Sequence, residues 1–146
     1  MVSMSRIEKP QTVKARLKVY ALDEDGKLLG VVDLDPYFTA KGLVKAYFAS
    51  CGFRVYIISP EGNTLDYFTY PDGLGAEWYY DEGYARTVIH LYFTMKKDSP
   101  VTVDRITVVG YCAGSEHGTI ADFNGLGLTG QAFAFEIFIY INDSTT

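Results

Sequence analysis

Apolar residues recur at every second position through most of this chain, and the strongest such run lies near its end. Phe133, Phe135, Ile137, Ile139 and Ile141 fall on one face of an extended strand, with Ala132, Ala134, Glu136, Phe138 and Tyr140 on the other. A strand apolar on both sides invites aggregation at an open edge, so this one is expected mid-sheet or covered. Earlier, Val13, Ala15, Leu17, Val19 and Ala21 alternate with Lys14, Arg16, Lys18 and Tyr20, which predicts a half-buried strand. Asp23-Glu-Asp-Gly-Lys27 reads as a hairpin turn with Gly26 at positive φ, and Leu28–Leu34 as the return strand.

Strands are also predicted over 53–59 and 64–70, joined by a turn at Pro60–Asn63, and over 84–96. In the last of these Ala85, Thr87, Ile89, Leu91, Phe93 and Met95 share a face. Lys97–Pro100 reads as a turn into a strand over 101–112, whose apolar phase slips between Val103 and Ile106. A bulge is therefore expected at Asp104 or Arg105. Ala113–Gly118 reads as a polar loop, 119–123 as a short strand, and Asn124–Gly130 as a Gly-rich loop feeding the terminal strand. One short α-helix is predicted near residues 40–51. Thr39 suits its cap, Leu43/Tyr47 and Val44/Phe48 pair at i,i+4, and Gly52 suits its end.

Seven or eight strands with a single helix predict an all-β protein, a two-sheet antiparallel β-sandwich of jelly-roll-like form. Residues 1–12 read as an extended arm, 13–142 as one domain and 143–146 as a tail. The 146 residues suffice for one self-sustaining core, and twelve tyrosines with nine phenylalanines suit pleated surfaces.

Charge narrows the function classes. The net charge is −5, yet Arg6, Lys9, Lys14, Arg16 and Lys18 face Glu8 alone before residue 19, a local +4 that leaves −9 elsewhere. An acidic body offers no track for phosphates, which argues against a nucleic-acid partner. The basic arm, with Arg6, Lys9 and Pro10, suits docking on a neighbouring copy. No apolar run is long enough for a membrane span, and the opening residues lack the apolar core of a signal peptide. Two cysteines, Cys51 and Cys112, make no disulfide scaffold; they are either buried thiols or one bridge.

Candidate chemistry is sparse. Gly125-Leu-Gly-Leu-Thr-Gly130 has the spacing of a dinucleotide loop but opens a strand where that site needs a helix, so it is rejected. Cys112, His117 and Asp122 can be drawn as nucleophile, base and orienter, but a C-x4-H spacing across a loop does not guarantee that geometry, and a strand-end thiol beside a surface histidine is the plainer reading. His90 stands opposite the apolar face of its strand, and two histidines without ligand spacing predict no metal and no cofactor. Asp23, Glu24 and Asp25 lack the alternating ligands of a calcium loop. Glu77, Trp78, Tyr79, Tyr80 and Tyr84 form an aromatic, acidic stretch read as a loop, either an interface or a platform for a glycan.

A hairpin at Asp23–Lys27, a helix start at Thr39-Ala-Lys-Gly-Leu43, Ile58-Ser-Pro-Glu-Gly62, Arg105-Ile-Thr-Val-Val-Gly110 and the apolar Phe135-Glu-Ile-Phe-Ile139 occur in that order. In this the chain resembles small β-sandwich structural proteins of phages and archaeal viruses. The resemblance implies a non-enzymatic virion subunit (capsid, fibre, tail or pilus-like) made in the host cytoplasm without a signal peptide. Its partners would be further copies of itself and other virion proteins. The alternative expectation is a carbohydrate- or ligand-binding module built around Trp78.

Overall fold

The computed structural model describes residues 12–34, 37–39 and 50–142. Ten strands occur among them: β1 (Thr12–Leu22), β2 (Leu28–Leu34), β3 (Tyr37–Thr39), β4 (Phe53–Ile58), β5 (Thr64–Tyr70), β6 (Gly75–Asp81), β7 (Arg86–Val103), β8 (Arg105–Cys112), β9 (Ser115–Phe123) and β10 (Leu128–Asn142). They form two antiparallel sheets packed face to face. Sheet 1 runs β2-β1-β10-β7-β6, with β3 also beside β1, and sheet 2 runs β5-β4-β8-β9. The terminal strand lies mid-sheet, as its two apolar faces require, between β1 and β7. Phe133, Phe135, Ile137, Ile139 and Ile141 are all buried and meet Phe53, Val55, Ile57, Ile106, Val108 and Phe123 of the opposite sheet in one core.

A single long hairpin, residues 86–142, is the spine of both sheets. Cys112 pairs with Ser115 at its tip, Val103 with Leu128 at its waist and Arg86 with Asn142 at its base. The tip is Ala113–Gly114, with φ of 53° and 81°, the double left-handed pair of a tight hairpin turn. The polar loop expected over 113–118 is thus reduced to two residues, because Ser115–Gly118 extend β9. At Asp104 the hairpin crosses from sheet 1 to sheet 2, which explains the apolar phase slip there. The Leu126 amide donates to the Asp104 carbonyl at 3.0 Å, and the buried Leu126 side chain anchors the crossing.

The expected turn at Lys97–Pro100 is instead a wide bulge inside β7. Ala132 pairs with Lys96 and Gly130 with Val101, so four residues stand opposite Gln131 alone. The Gln131 amide donates to the Asp98 carbonyl at 3.0 Å, and the Lys97 ammonium to the Leu65 carbonyl at 2.7 Å. Two hairpin turns share one design. Asp23 and Ser59 each accept from the glycine three residues on, Gly26 and Gly62, both at positive φ. Their side chains, Asp23 Oδ1 and Ser59 Oγ, also take the amides of Lys27 and Asn63.

β2 and β3 follow one register along β1, since Leu34 pairs with Leu17 and Tyr37 with Lys14. The helix expected near 40–51 lies outside the described residues except for its last two positions, and the arm residues Arg6, Lys9 and Pro10 lie outside them too.

Candidate functional site

Strand periodicity divides every surface side chain between an inner and an outer face, and the outer face of sheet 1 gathers the most chemistry. Across β6, β7, β10 and β1 the register sets Glu77, His90, Phe138 and Arg16 in one row. The next row holds Gly75, Tyr92, Glu136 and Lys18, and the one beyond it Thr94, Ala134 and Tyr20. His90 Nδ1 lies 2.9 Å from Glu77 Oε1, and Nε2 lies 3.1 Å from Glu136 Oε1. Ionised carboxylates only accept, so both contacts are hydrogen bonds when the ring carries both protons. The imidazole side chain is 14% exposed, whereas the Glu77 and Glu136 side chains are 57% and 35% exposed. The covered ring thus holds two carboxylates that still reach solvent.

A ladder of π groups runs beside this triad. The His90 ring stacks on Phe138 at 4.4 Å and 1°, and Phe138 on Tyr140 at 6.4 Å. Arg86 lies over Tyr140 at 3.8 Å and over Tyr84 at 4.5 Å, while its Nε donates to Asp81 at 3.3 Å. At the other end Tyr92 lies 5.1 Å from His90. Its ring leans over Gly75, where any Cβ would collide with it. With Tyr92 laid aside and only Ala134 and Thr94 below, a shallow depression of about 620 Å³ opens between Tyr20, Tyr92, His90 and the two glutamates.

The aromatic loop expected around Trp78 is an edge strand, β6. Its residues pair in register with β7 from Gly75–Tyr92 to Asp81–Arg86. Alternation therefore splits the group: Glu77 and Tyr79 share the outer face, and Trp78 and Tyr80 the opposite one. Tyr84 stands apart in the β6–β7 turn, 74% exposed. The stretch looked like a loop because rings occupy both faces and leave no polar alternation to read.

Cys51 and Cys112 are joined as a disulfide across 61 residues. The β4–β8 register pairs Phe53 with Gly110, so two more steps set Cys51 opposite Cys112. The Tyr111 amide, donating to the Gly52 carbonyl at 3.0 Å, continues that ladder. A bonded sulfur is no nucleophile, so the drawn Cys112–His117–Asp122 triad does not exist. His117 Nε2 lies 3.2 Å from the Cys112 carbonyl, and Asp122 is engaged by Arg105.

That Arg105–Asp122 pair belongs to the outer face of sheet 2. Arg105 binds Asp122 through two bonds of 2.9 and 2.8 Å, and the Thr107 hydroxyl adds a third at 3.0 Å. Burial alone pushes the Asp122 carboxyl up, but the hydrogen bonds from Arg105, Thr107 and Asn124 and the Arg105 charge outweigh it and hold it below its ordinary value. Arg54 is held over Tyr111 at 4.1 Å and Tyr67 at 4.9 Å, and it donates to Thr69 at 3.2 Å. The Tyr56 hydroxyl donates to Glu116, and partial burial, with that acceptor beside it, raises the phenol above its ordinary value.

His90, Glu136, Tyr20 and Tyr92 were not singled out together from sequence. The available signal was the terminal strand's second face, where Glu136, Phe138 and Tyr140 are more than a core requires. Only the β7–β10 register joins it to His90. Among the described residues no group of three or more His, Cys, Asp or Glu is placed to hold a metal ion, and no helix is long and apolar enough to cross a membrane. Comparison with protein-family models, with curated proteins and with solved structures gives no match, so the likeness to virion sandwiches rests on the short motifs alone.

Proposed function

We propose that this chain is a non-enzymatic structural subunit that self-associates, in a virion (capsid, fibre, tail or pilus-like) or an extracellular filament. The observation that carries this reading is β6. Among the described residues it has β7 on one side and no strand on the other, and it displays Trp78, Tyr79 and Tyr80 exposed. An exposed apolar edge is a template for pairing, and folded proteins ordinarily blunt it with lysine, proline or a bulge. Here it carries rings, the residue type that centres protein interfaces. The cystine adds support for a final location outside a reducing cytosol.

The finer expectations go with this reading. They are a jelly-roll-like wrap, for which the folded hairpin over 86–142 gives support, the helix near 40–51, and an arm with Arg6, Lys9 and Pro10 that docks on a neighbour. Synthesis in a host cytoplasm and contacts with other virion proteins belong to it as well. Electron microscopy and light scattering of the full chain test it. Regular multimers are expected for the natural sequence, and dispersed 16.3 kDa monomers for a Trp78→Lys/Tyr80→Lys double variant. A natural chain that stays monomeric at high concentration would contradict the proposal.

A further inference from the structure

We propose that the depression on the outer face of sheet 1 binds a short neutral oligosaccharide, on the face opposite the Trp78 and Tyr80 rings of β6. The cavity is built rather than incidental. Tyr20 on β1, level with Ala134, and Tyr92 on β7, one row along, stand on the two strands beside β10, about 12 Å apart at the backbone from two strand spacings and a two-residue stagger. Gly75 lets the Tyr92 ring lie outward, and Ala134 and Thr94 keep the floor low. A volume of about 620 Å³ is in the usual range of small-molecule clefts.

The lining chemistry selects the ligand. Ring walls favour a molecule with a C–H face, while carboxylate, phenol and hydroxyl oxygens on the rim favour one rich in O–H donors. Pyranose sugars combine both in one ring. Charge favours a neutral ligand: Glu136 has Lys18 beside it, and the row that begins with Glu77 ends in Arg16 three strands away, so each carboxylate is matched by a cation in its own row and neither sign is in large excess. His90 is a positioning residue here. By holding Oε1 of each glutamate it fixes where their remaining oxygen points. Trp78 and Tyr80 lie on the other face of β6, so their substitution separates this site from the proposed association.

A neutral-glycan array, followed by ligand-observed NMR with cellotriose, maltotriose and mannotriose on the oxidised full chain, tests the site. Binding is expected, with Ala134→Phe weakening it at least about tenfold by filling the trough, equivalent to about 1.4 kcal/mol. Tyr20→Ala, which keeps the floor open, should weaken it similarly if Ala134→Phe perturbs folding. His90→Gln should weaken binding, whereas Trp78→Ala should leave it unchanged. Absence of binding to all neutral glycans would overturn the proposal. So would binding lost in Trp78→Ala but kept in Ala134→Phe, or a preference for choline or arginine methyl ester over every sugar.

Discussion

The two outer faces of the sandwich are built from the same ingredients and end in opposite states. On sheet 2 each charge is spent where it stands: Arg105 on Asp122, Glu116 on Tyr56, and Arg54 on the rings of Tyr67 and Tyr111. Sheet 1 instead gives two carboxylates one imidazole to share and leaves a hollow beside them. What separates the faces is side-chain size at a few positions. Gly75, Ala134 and Thr94 stand on sheet 1 where a filled surface would carry long chains. A surface that satisfies its own polar groups stabilises; one that leaves acceptors beside a cavity is suited to a ligand.

Breaking the covalent tie of sheet 2 should have the largest effect. Cys51→Ala/Cys112→Ala frees a loop of 61 residues and should cost about 4 kcal/mol by chain entropy. Urea unfolding checks the size, and hydrogen exchange should show β4 and β8 opening first. Next comes His90→Ala, which leaves Glu77 and Glu136 without their shared donor and removes the stack on Phe138. About 2 kcal/mol is expected, read as a lowered urea midpoint at neutral pH.

Arg105→Ala should cost less, about 1 kcal/mol, because its partner's side chain is 30% exposed. Its signature is pH dependence. Asp122 is held below its ordinary value, so its contribution is complete above the unfolded aspartate pKa of about 4 and is lost as pH falls through the lower folded value. The variant's stability should therefore fall less steeply than the natural chain's on acidification. Smallest in stability is Trp78→Lys/Tyr80→Lys, within about 0.5 kcal/mol, yet it should abolish assembly.

The sequence made some of this legible and hid the rest for definite reasons. Period-two alternation located β1 and the inner face of β10, because each has one core side, and β2, β4 and β5 were placed by the turns beside them. The Asp23–Lys27 turn was readable because its side-chain and glycine chemistry is local. β7 was cut short because Asp98, Ser99 and Pro100 are turn residues, yet here they form a bulge held by Gln131 and Lys97. The hairpin over 86–142, the disulfide and the hollow all depend on cross-strand register between residues far apart in sequence. No local pattern encodes that. His90 looked isolated along the chain and acquires its glutamates only through β6 and β10.

Amide hydrogen exchange, compared between the assembled full chain and the dilute monomer, addresses the proposed association edge most directly. New protection concentrated in Gly75–Asp81, with the central strand β10 unchanged, is the predicted result. Assemblies in which β6 exchanges as fast as in the monomer, with protection appearing elsewhere, would contradict it.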